Sequence, residues 1–316
     1  MPDDAALAPG LRFEALSRTQ FAPERGAALA ARAAYRVGFT VGTSTVALNF
    51  SRAESAAAFA ARYRDLASDG APDFSVFAVE EGSDAFFWAE AAERVWQWSG
   101  GTLPPDIIAF FADSAGMYEF LCRTPVLGFH AATLAGATGA LTLIGATTAG
   151  KTTTAVACVR RGLRLYSDER CILEDGRVAP FLRRLTLRAG GRAALLNDPC
   201  DEPLGIDRRL REWQNADEVA VRASALFGAS AGGPPLPLAA VFVIDGRAER
   251  PEVVRTTPSD VMPALLASMA SRESGLDRIA RILHELRNAA TYRLCLGPPD
   301  ATARAILAAT GKSGVG

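Results

Sequence analysis

The chain has 316 residues, 49% of them hydrophobic and 22% charged, enough apolar material for one large or two smaller cores, which excludes a disordered or fibrous chain. Its 34 Lys and Arg against 35 Asp and Glu leave a formal net charge of -1. No bulk electrostatic pull toward nucleic acid or an anionic membrane is expected from that balance.

Residues 1–30 are Ala-rich without a sustained period and read as a loose arm holding at most one short helix. From Tyr35, the run YRVGFTVGTSTVALNF predicts two strands around a Gly42-Thr43-Ser44 turn, and RAESAAAFAARYRDLAS predicts a helix. Strands return at DFSVFAVE and AFFWAEAAERVWQW, where Trp88, Trp96 and Trp98 read as half-buried packing rather than a ligand cage. Pro104 and Pro105 open a helix through IIAFFADSAGMYEFL, with proline in its favoured first turn. Residues 1–122 are thus expected to form a small α+β domain with an N-terminal arm, and residues 123–316 a second domain of α/β class.

In the second half, FHAATL predicts a strand, Ala135 to Thr138 a turn, and GALTLIG a returning strand. The next segment carries Gly145-x-x-x-x-Gly150-Lys151-Thr152 between that apolar strand and a helical run over residues 152–161. Later come the apolar strand LPLAAVFVID, two helices, the strand YRLCL and a closing helix PDATARAILAA. Residues 197–237 are the least regular stretch and read as a mobile acceptor-binding segment, with Arg208, Arg209, Arg211 and Trp213 in its middle, or as a short solvated helix there. His284 falls beside the apolar face of its helix and reads as a solvated surface residue.

The five cysteines (Cys122, Cys158, Cys171, Cys200, Cys295) are scattered and never spaced C-x-x-C, against both a zinc site and a disulfide framework. No stretch reaches about 18 uninterrupted apolar residues, and the first twenty residues lack a basic start followed by an apolar run. A soluble, cytoplasmic protein with neither a membrane nor a nucleic-acid partner is expected. Self-association is compatible with the sequence.

The glycine-rich segment explains itself chemically. Triphosphate oxygens are held by several backbone N–H groups aimed at one place, so Gly145, Ala146, Thr147, Thr148, Ala149 and Gly150 would wrap them as a nest. Lys151 would reach the outer phosphates as a point charge, the Thr152 hydroxyl would ligate Mg²⁺, and Thr153 would continue the helix whose N-terminal dipole adds to the attraction. ATP with Mg²⁺ is the expected cofactor pair. A metal-binding carboxylate is also needed, and two sets compete for the role. Asp168 and Glu169 follow the strand LRLY shortly after the loop, whereas Asp245 ends VFVID at the spacing of a conventional Walker B residue and, being followed by Gly246, also suits a turn.

These residues resemble the HPr kinase/phosphorylase family, and more closely its shorter kinase-like relatives, including enzymes that phosphorylate ribosomally made peptides such as lasso-peptide precursors. The resemblance rests on FHAATL with His130, on GATTAGKT, on Arg161-Gly162 at the helix end and on LYSDER, and covers residues 129 to about 190. Thr148 stands where the family usually has Gly, and Thr153 where HPr kinases have Glu. The resemblance implies a P-loop kinase domain of the HPr kinase/phosphoenolpyruvate carboxykinase type. By position it implies Asp168 as general base, Glu169 as a second metal-side carboxylate and His130 beside the transferred phosphate. Arg184 and Arg188 on LRRLTLR would face the nucleotide or acceptor, or else solvent.

The function expected on this basis is ATP-dependent transfer of a γ-phosphoryl group to a hydroxyl acceptor, either Ser or Thr of a peptide or a small hydroxylated metabolite, with Asp168, His130 and Lys151 catalytic. The alternatives are an NTPase switch using Asp245, an HPr serine kinase, and a nucleotide-binding scaffold without turnover.

Overall fold

The computed structural model describes residues 12–17, 21–90, 94–124, 126–198, 206–213, 215–270 and 275–311. The chain is mixed α/β and divides into two compact units, Met1–Thr124 and Pro125–Gly316.

In the first unit, strands β1 (Arg12–Ser17), β2 (Tyr35–Val41), β3 (Ser44–Phe50), β4 (Phe74–Glu81), β5 (Asp84–Ala89) and β6 (Arg94–Ser99) form one sheet in the order β1-β6-β5-β4-β3-β2. Its pairs are antiparallel except β3 with β4, which helix α2 (Ala53–Tyr63) connects. The arm expected to be loose is regular where it is described. Arg12 to Ser17 pairs with β6 from Arg12↔Ser99 to Ser17↔Arg94, and α1 (Pro23–Ala30) follows. Neither element has a periodicity long enough to stand out in an Ala-rich sequence; pairing at the sheet edge orders the strand, and burial of Leu29 in a core with Val79, Phe86 and Trp88 holds the helix. Residues 1–11 and 18–20 of that arm lie outside the described residues. Helix α3 (Pro105–Arg123) packs with α2 over the sheet. Trp88 stacks on Phe77 at 5.0 Å between centroids, and Trp98 lies 6.0 Å from Phe111 and donates to the Gly101 carbonyl at 2.9 Å, so both are core residues.

Among the described residues, the second unit is built on a ten-stranded sheet and a separate two-stranded one. Strands β7 (Leu127–Phe129), β8 (Ala131–Ala135) and β9 (Ala140–Ile144) lead to helix α4 (Lys151–Arg160), then β10 (Arg164–Ser167), β11 (Cys171–Glu174) and β12 (Arg177–Ala179). After β13 (Leu185–Arg188), α5 (Ala189–Asn197), α6 (Ile206–Glu212), β14 (Glu218–Val221) and α7 (Ala223–Phe227) comes the long strand β15 (Leu236–Arg247). The chain closes with β16 (Glu252–Thr256), α8 (Pro258–Ser268), β17 (Met269–Ala270), α9 (Gly275–Glu285), β18 (Ala290–Leu296) and α10 (Pro299–Ala309).

Strand β15 joins two halves of the sheet. Along most of its length it lies parallel to β9 on one side and to β18 on the other, and β8, then β10, continue antiparallel beyond β9. Its first residues pair instead with β12, which leads through β11 to β7 and β17. Parallel neighbours need both faces covered. Helix α4 packs on β8, β9 and β10, with α10 against it, while α8 and α9 contribute Val261, Leu265 and Ile282 to a core with Ile144, Val241 and Leu173.

Residues 197–237 are not one irregular loop. Helix α6 buries Ile206 and Leu210, α7 buries Leu226 and Phe227, and β14 pairs with β13 from Leu185↔Val221 to Arg188↔Glu218. Elements of four to seven residues are too short to show a period, and tertiary burial holds them in place. Residues 199–205 and 214 of this stretch lie outside the described set. Among the described residues, no helix is long and apolar enough to cross a membrane. Cys158 and Cys171 are buried free thiols and Cys295 is a half-buried one; Cys200 and the side chain of Cys122 lie outside the description.

Candidate functional site

Five buried residues make β9, and the chain leaves that strand directly into the Gly145–Gly150 loop. Gly150 has φ 111°, a backbone angle that demands glycine, and a Cβ there would also press to within 2.8 Å of Leu296 Cδ1, which would have to move. Helix α4 then starts at Lys151 with no side-chain cap, which leaves its first N–H groups available to a ligand. Ala146, Thr147 and Thr148 are exposed at the loop crest. Thr148, where glycine is usual in the family resembled, sits at φ 67° in the left-handed region and donates its hydroxyl to the Thr147 carbonyl. The Lys151 ammonium folds back on the loop, donating to the carbonyls of Gly145 at 2.8 Å and Ala146 at 3.0 Å. Burial holds its pKa below the ordinary lysine value, with Asp168 and Glu169 opposing that shift.

The acidic pair reaches the loop because the chain passes twice between the two halves of the sheet at one place. His130 is the single residue between β7 and β8, and Asp168-Glu169-Arg170 link β10 to β11. Since β8 pairs with β10 and β7 with β11, these two crossings lie side by side. The Ala131 N–H donates to the Glu169 carbonyl at 3.2 Å, and His130 Nδ1 lies 3.2 Å from the same oxygen. The Thr152 hydroxyl donates to Asp168 Oδ2 at 3.0 Å. Asp168 Oδ1 is buried and has no hydrogen-bond partner. Burial is the main cause that pushes the Asp168 carboxyl up to about 7, against the lowering effect of the Thr152 hydrogen bond; Glu169 adds to the rise, and Lys151 and Arg183 counter it.

His130 is held below the ordinary histidine pKa, first by burial and then by the Lys151 charge, so its imidazole is neutral at pH 7. With Nδ1–H assigned as donor to the Glu169 carbonyl, Nε2 carries the lone pair. Glu169 is about half exposed and ion-paired to Arg183 at 2.6 Å. Arg183 and Arg247 are the site residues that sequence parity did not single out. Arg183 precedes β13 and faces inward, opposite in parity to the exposed Arg184 and Arg188, the latter lying 3.6 Å from Glu218. Arg247, at the end of β15, donates to the Ala149 carbonyl at 3.3 Å, a contact no local pattern announces.

Asp245 lies near the end of β15, but its carboxylate is engaged by Arg293 of β18, the neighbour of β15 on the side away from β9. His284 is exposed. Among the described residues, no three His, Cys, Asp or Glu side chains gather to hold a metal ion by themselves. No known family model matches the chain, and no curated protein matches it.

Proposed function

We propose that the second unit is a P-loop phosphotransferase of the HPr kinase type, which moves the γ-phosphoryl group of ATP, with Mg²⁺, to a hydroxyl on a peptide or small molecule. The observation that carries this reading is the Asp168 carboxylate, with one oxygen on the Thr152 hydroxyl at 3.0 Å and the other buried without a partner. Neither a structural strand-end acid nor a solvated loop acid has reason to leave a carboxylate oxygen unsatisfied. An orphaned oxygen beside a phosphate-type loop suits a ligand or a transferred proton.

The donor set suits Mg²⁺, a hard ion commonly held by one or two carboxylates together with phosphate oxygens. Thr152 Oγ1 and Asp168 Oδ2 would hold it, with Glu169 the nearest further carboxylate, and when bound it would neutralise charge on the outer phosphate oxygens. The chain's own residues do the rest. Loop N–H groups and Lys151 position the phosphates, and Asp168 Oδ1 accepts the acceptor's hydroxyl proton. The acceptor oxygen bonds to the γ-phosphorus as the bond from that phosphorus to the β,γ-bridging oxygen breaks, leaving ADP. Neutral His130, its ring fixed on the Glu169 carbonyl, presents Nε2 without adding a charge that would compete for Asp168. The rival NTPase reading requires Asp245 to give up Arg293.

Calorimetry with Mg-ATP tests this reading. Binding to the parent and its loss in Lys151→Ala are expected; equal binding by both proteins overturns it.

A further inference from the structure

Strand β15 runs on past the end of β9. Its Val243 pairs with Ile144, the last residue of β9, and Ile244 to Arg247 continue beside the phosphate loop, so close that a Cβ on Gly145 would lie 3.1 Å from the Cβ of Ile244. On its other side β15 carries a bulge. Ile244 pairs with Leu294 and Arg247 with Leu296, which sets Asp245 and Gly246 together against Cys295 alone. Gly246, at φ 130°, has a backbone angle that favours glycine.

The extra residue decides which way Arg247 points. In an unbroken strand Arg247 would share the face of Asp245, two residues before it, whose carboxylate is engaged by Arg293. The bulge moves it instead to the face of its partner Leu296, and two contacts place that face against the phosphate loop. Arg247 Nη2 donates to the Ala149 carbonyl at 3.3 Å. The same nitrogen, at 3.0 Å, and Leu296 Cδ1, at 2.8 Å, both border the place that a Cβ on Gly150 would take. Among the described residues, no carboxylate pairs with Arg247.

The carbonyl that Arg247 holds belongs to the peptide that carries the Gly150 N–H. In a planar trans peptide the two groups point in opposite directions, so a carbonyl drawn outward turns the N–H inward. Glycine's conformational freedom makes such a peptide easy to flip, and a flip would present an oxygen, rather than an N–H, to a phosphate. We propose that Arg247 is a positioning residue of the phosphate loop, which holds the Ala149 carbonyl outward, keeps the Gly150 N–H aimed at the nucleotide phosphates and polarises that N–H with its charge. The inference rests on the phosphotransferase reading and adds to its site a residue that acts from the neighbouring strand. Acting through one exposed hydrogen bond, Arg247 has an effect of several-fold rather than all-or-none.

Two measurements on the full chain test it: calorimetry with Mg-ATP and with inorganic triphosphate, and the ¹³C resonance of the Ala149 carbonyl without ligand. Arg247→Ala should weaken both ligands roughly three- to tenfold and move the Ala149 resonance upfield, as loss of a hydrogen bond to that carbonyl does. Arg247→Lys keeps the charge and a donor, and since the contact uses Nη2 alone it should recover most of the affinity. Arg250→Ala removes the same charge from the exposed bend after β15 and should leave both readings at the parental values. Because Arg247 is exposed, its replacement should leave the fold intact; if Arg247→Ala nevertheless unfolds, affinity and the Ala149 resonance in Arg247→Gln, which loses the charge, decide in its place. Parental affinity or an unmoved Ala149 resonance in the charge-removing variant, no recovery in Arg247→Lys, or an equal loss in Arg250→Ala overturns the proposal and leaves the phosphotransferase reading standing. A parent chain that binds neither ligand overturns that reading and this proposal with it.

Discussion

Thr152 and Asp168, sixteen residues apart, meet through a 3.0 Å hydrogen bond between the first turn of α4 and the end of β10. The turn out of the helix and the antiparallel pairing of β10 with β8 bring the acid back to the loop that the helix started from. A hydroxyl donor occupies one carboxylate oxygen, and the other is kept from water.

If that second oxygen takes the acceptor's proton, Asp168→Asn should leave the fold intact while phosphoryl transfer falls by a factor of 10² or more, within the range of a lost general base, and the amide, a poorer ligand, should also weaken Mg²⁺ binding. Asp245→Asn should cost only the exposed contact to Arg293, less than about 1 kcal/mol, and leave turnover near the parental rate. ADP release with the acceptor present ranks the two variants, and the opposite ranking would favour the NTPase reading.

The same carboxylate makes stability depend on pH. Its folded pKa, about 7, lies above the ordinary 3.8, so the folded chain binds the proton more tightly. The stability this contributes is fully present below about pH 4, declines as the pH rises toward 7 and is absent above it. Asn cannot ionise, so Asp168→Asn should be more stable than the parent at pH 8, by roughly 2–4 kcal/mol, with the gap closing near pH 4. Urea unfolding of both proteins at the two pH values measures the difference. A gap that does not change with pH would mean that Asp168 is not the buried acid described.

The loop, its strand and its helix were legible because the fixed glycines and their strand-to-helix context are all local in sequence. Asp168 and Glu169 were legible by distance along the chain. What the sequence did not reveal is non-local. Strand β1 is ordered by β6, some eighty residues away, and α6, β14 and α7 are held by burial of single residues such as Leu210 and Phe227 rather than by any period. The break at His130 was hidden for a similar reason. FHAATL is continuous as an apolar run, and only the pairing of β7 with β11 and of β8 with β10 divides it between two halves of the sheet.

Thr148 stores backbone strain that the sequence hinted at by departing from glycine. A non-glycine residue at φ 67° costs about 1 kcal/mol, part of which glycine's greater unfolded-state freedom cancels. Thr148→Gly should therefore stabilise the chain by roughly 0.5 kcal/mol, whereas Gly150→Ala, at φ 111° and 2.8 Å from Leu296 Cδ1, should destabilise it by more than about 1 kcal/mol and weaken nucleotide binding. Chemical denaturation of the two variants checks the signs, and stabilisation by Gly150→Ala would contradict the loop geometry.

Arg183 ties the acidic pair together and should set the pH at which the base becomes available. Burial dominates the raised pKa of Asp168 and Glu169 adds to it, while the Arg183 guanidinium, paired to Glu169 at 2.6 Å, works in the opposite direction. Arg183→Ala removes a favourable cation and leaves Glu169 uncompensated, so Asp168 should ionise only at higher pH. The rising limb of the pH–rate profile should then move up by about half to one pH unit. The exposed neighbour Arg184 serves as control, since Arg184→Ala removes a charge of the same sign that faces outward. A purely structural role for Arg183 would lower the plateau rate and leave the midpoint in place. That outcome, or an equal displacement in Arg184→Ala, would remove Arg183 from the site.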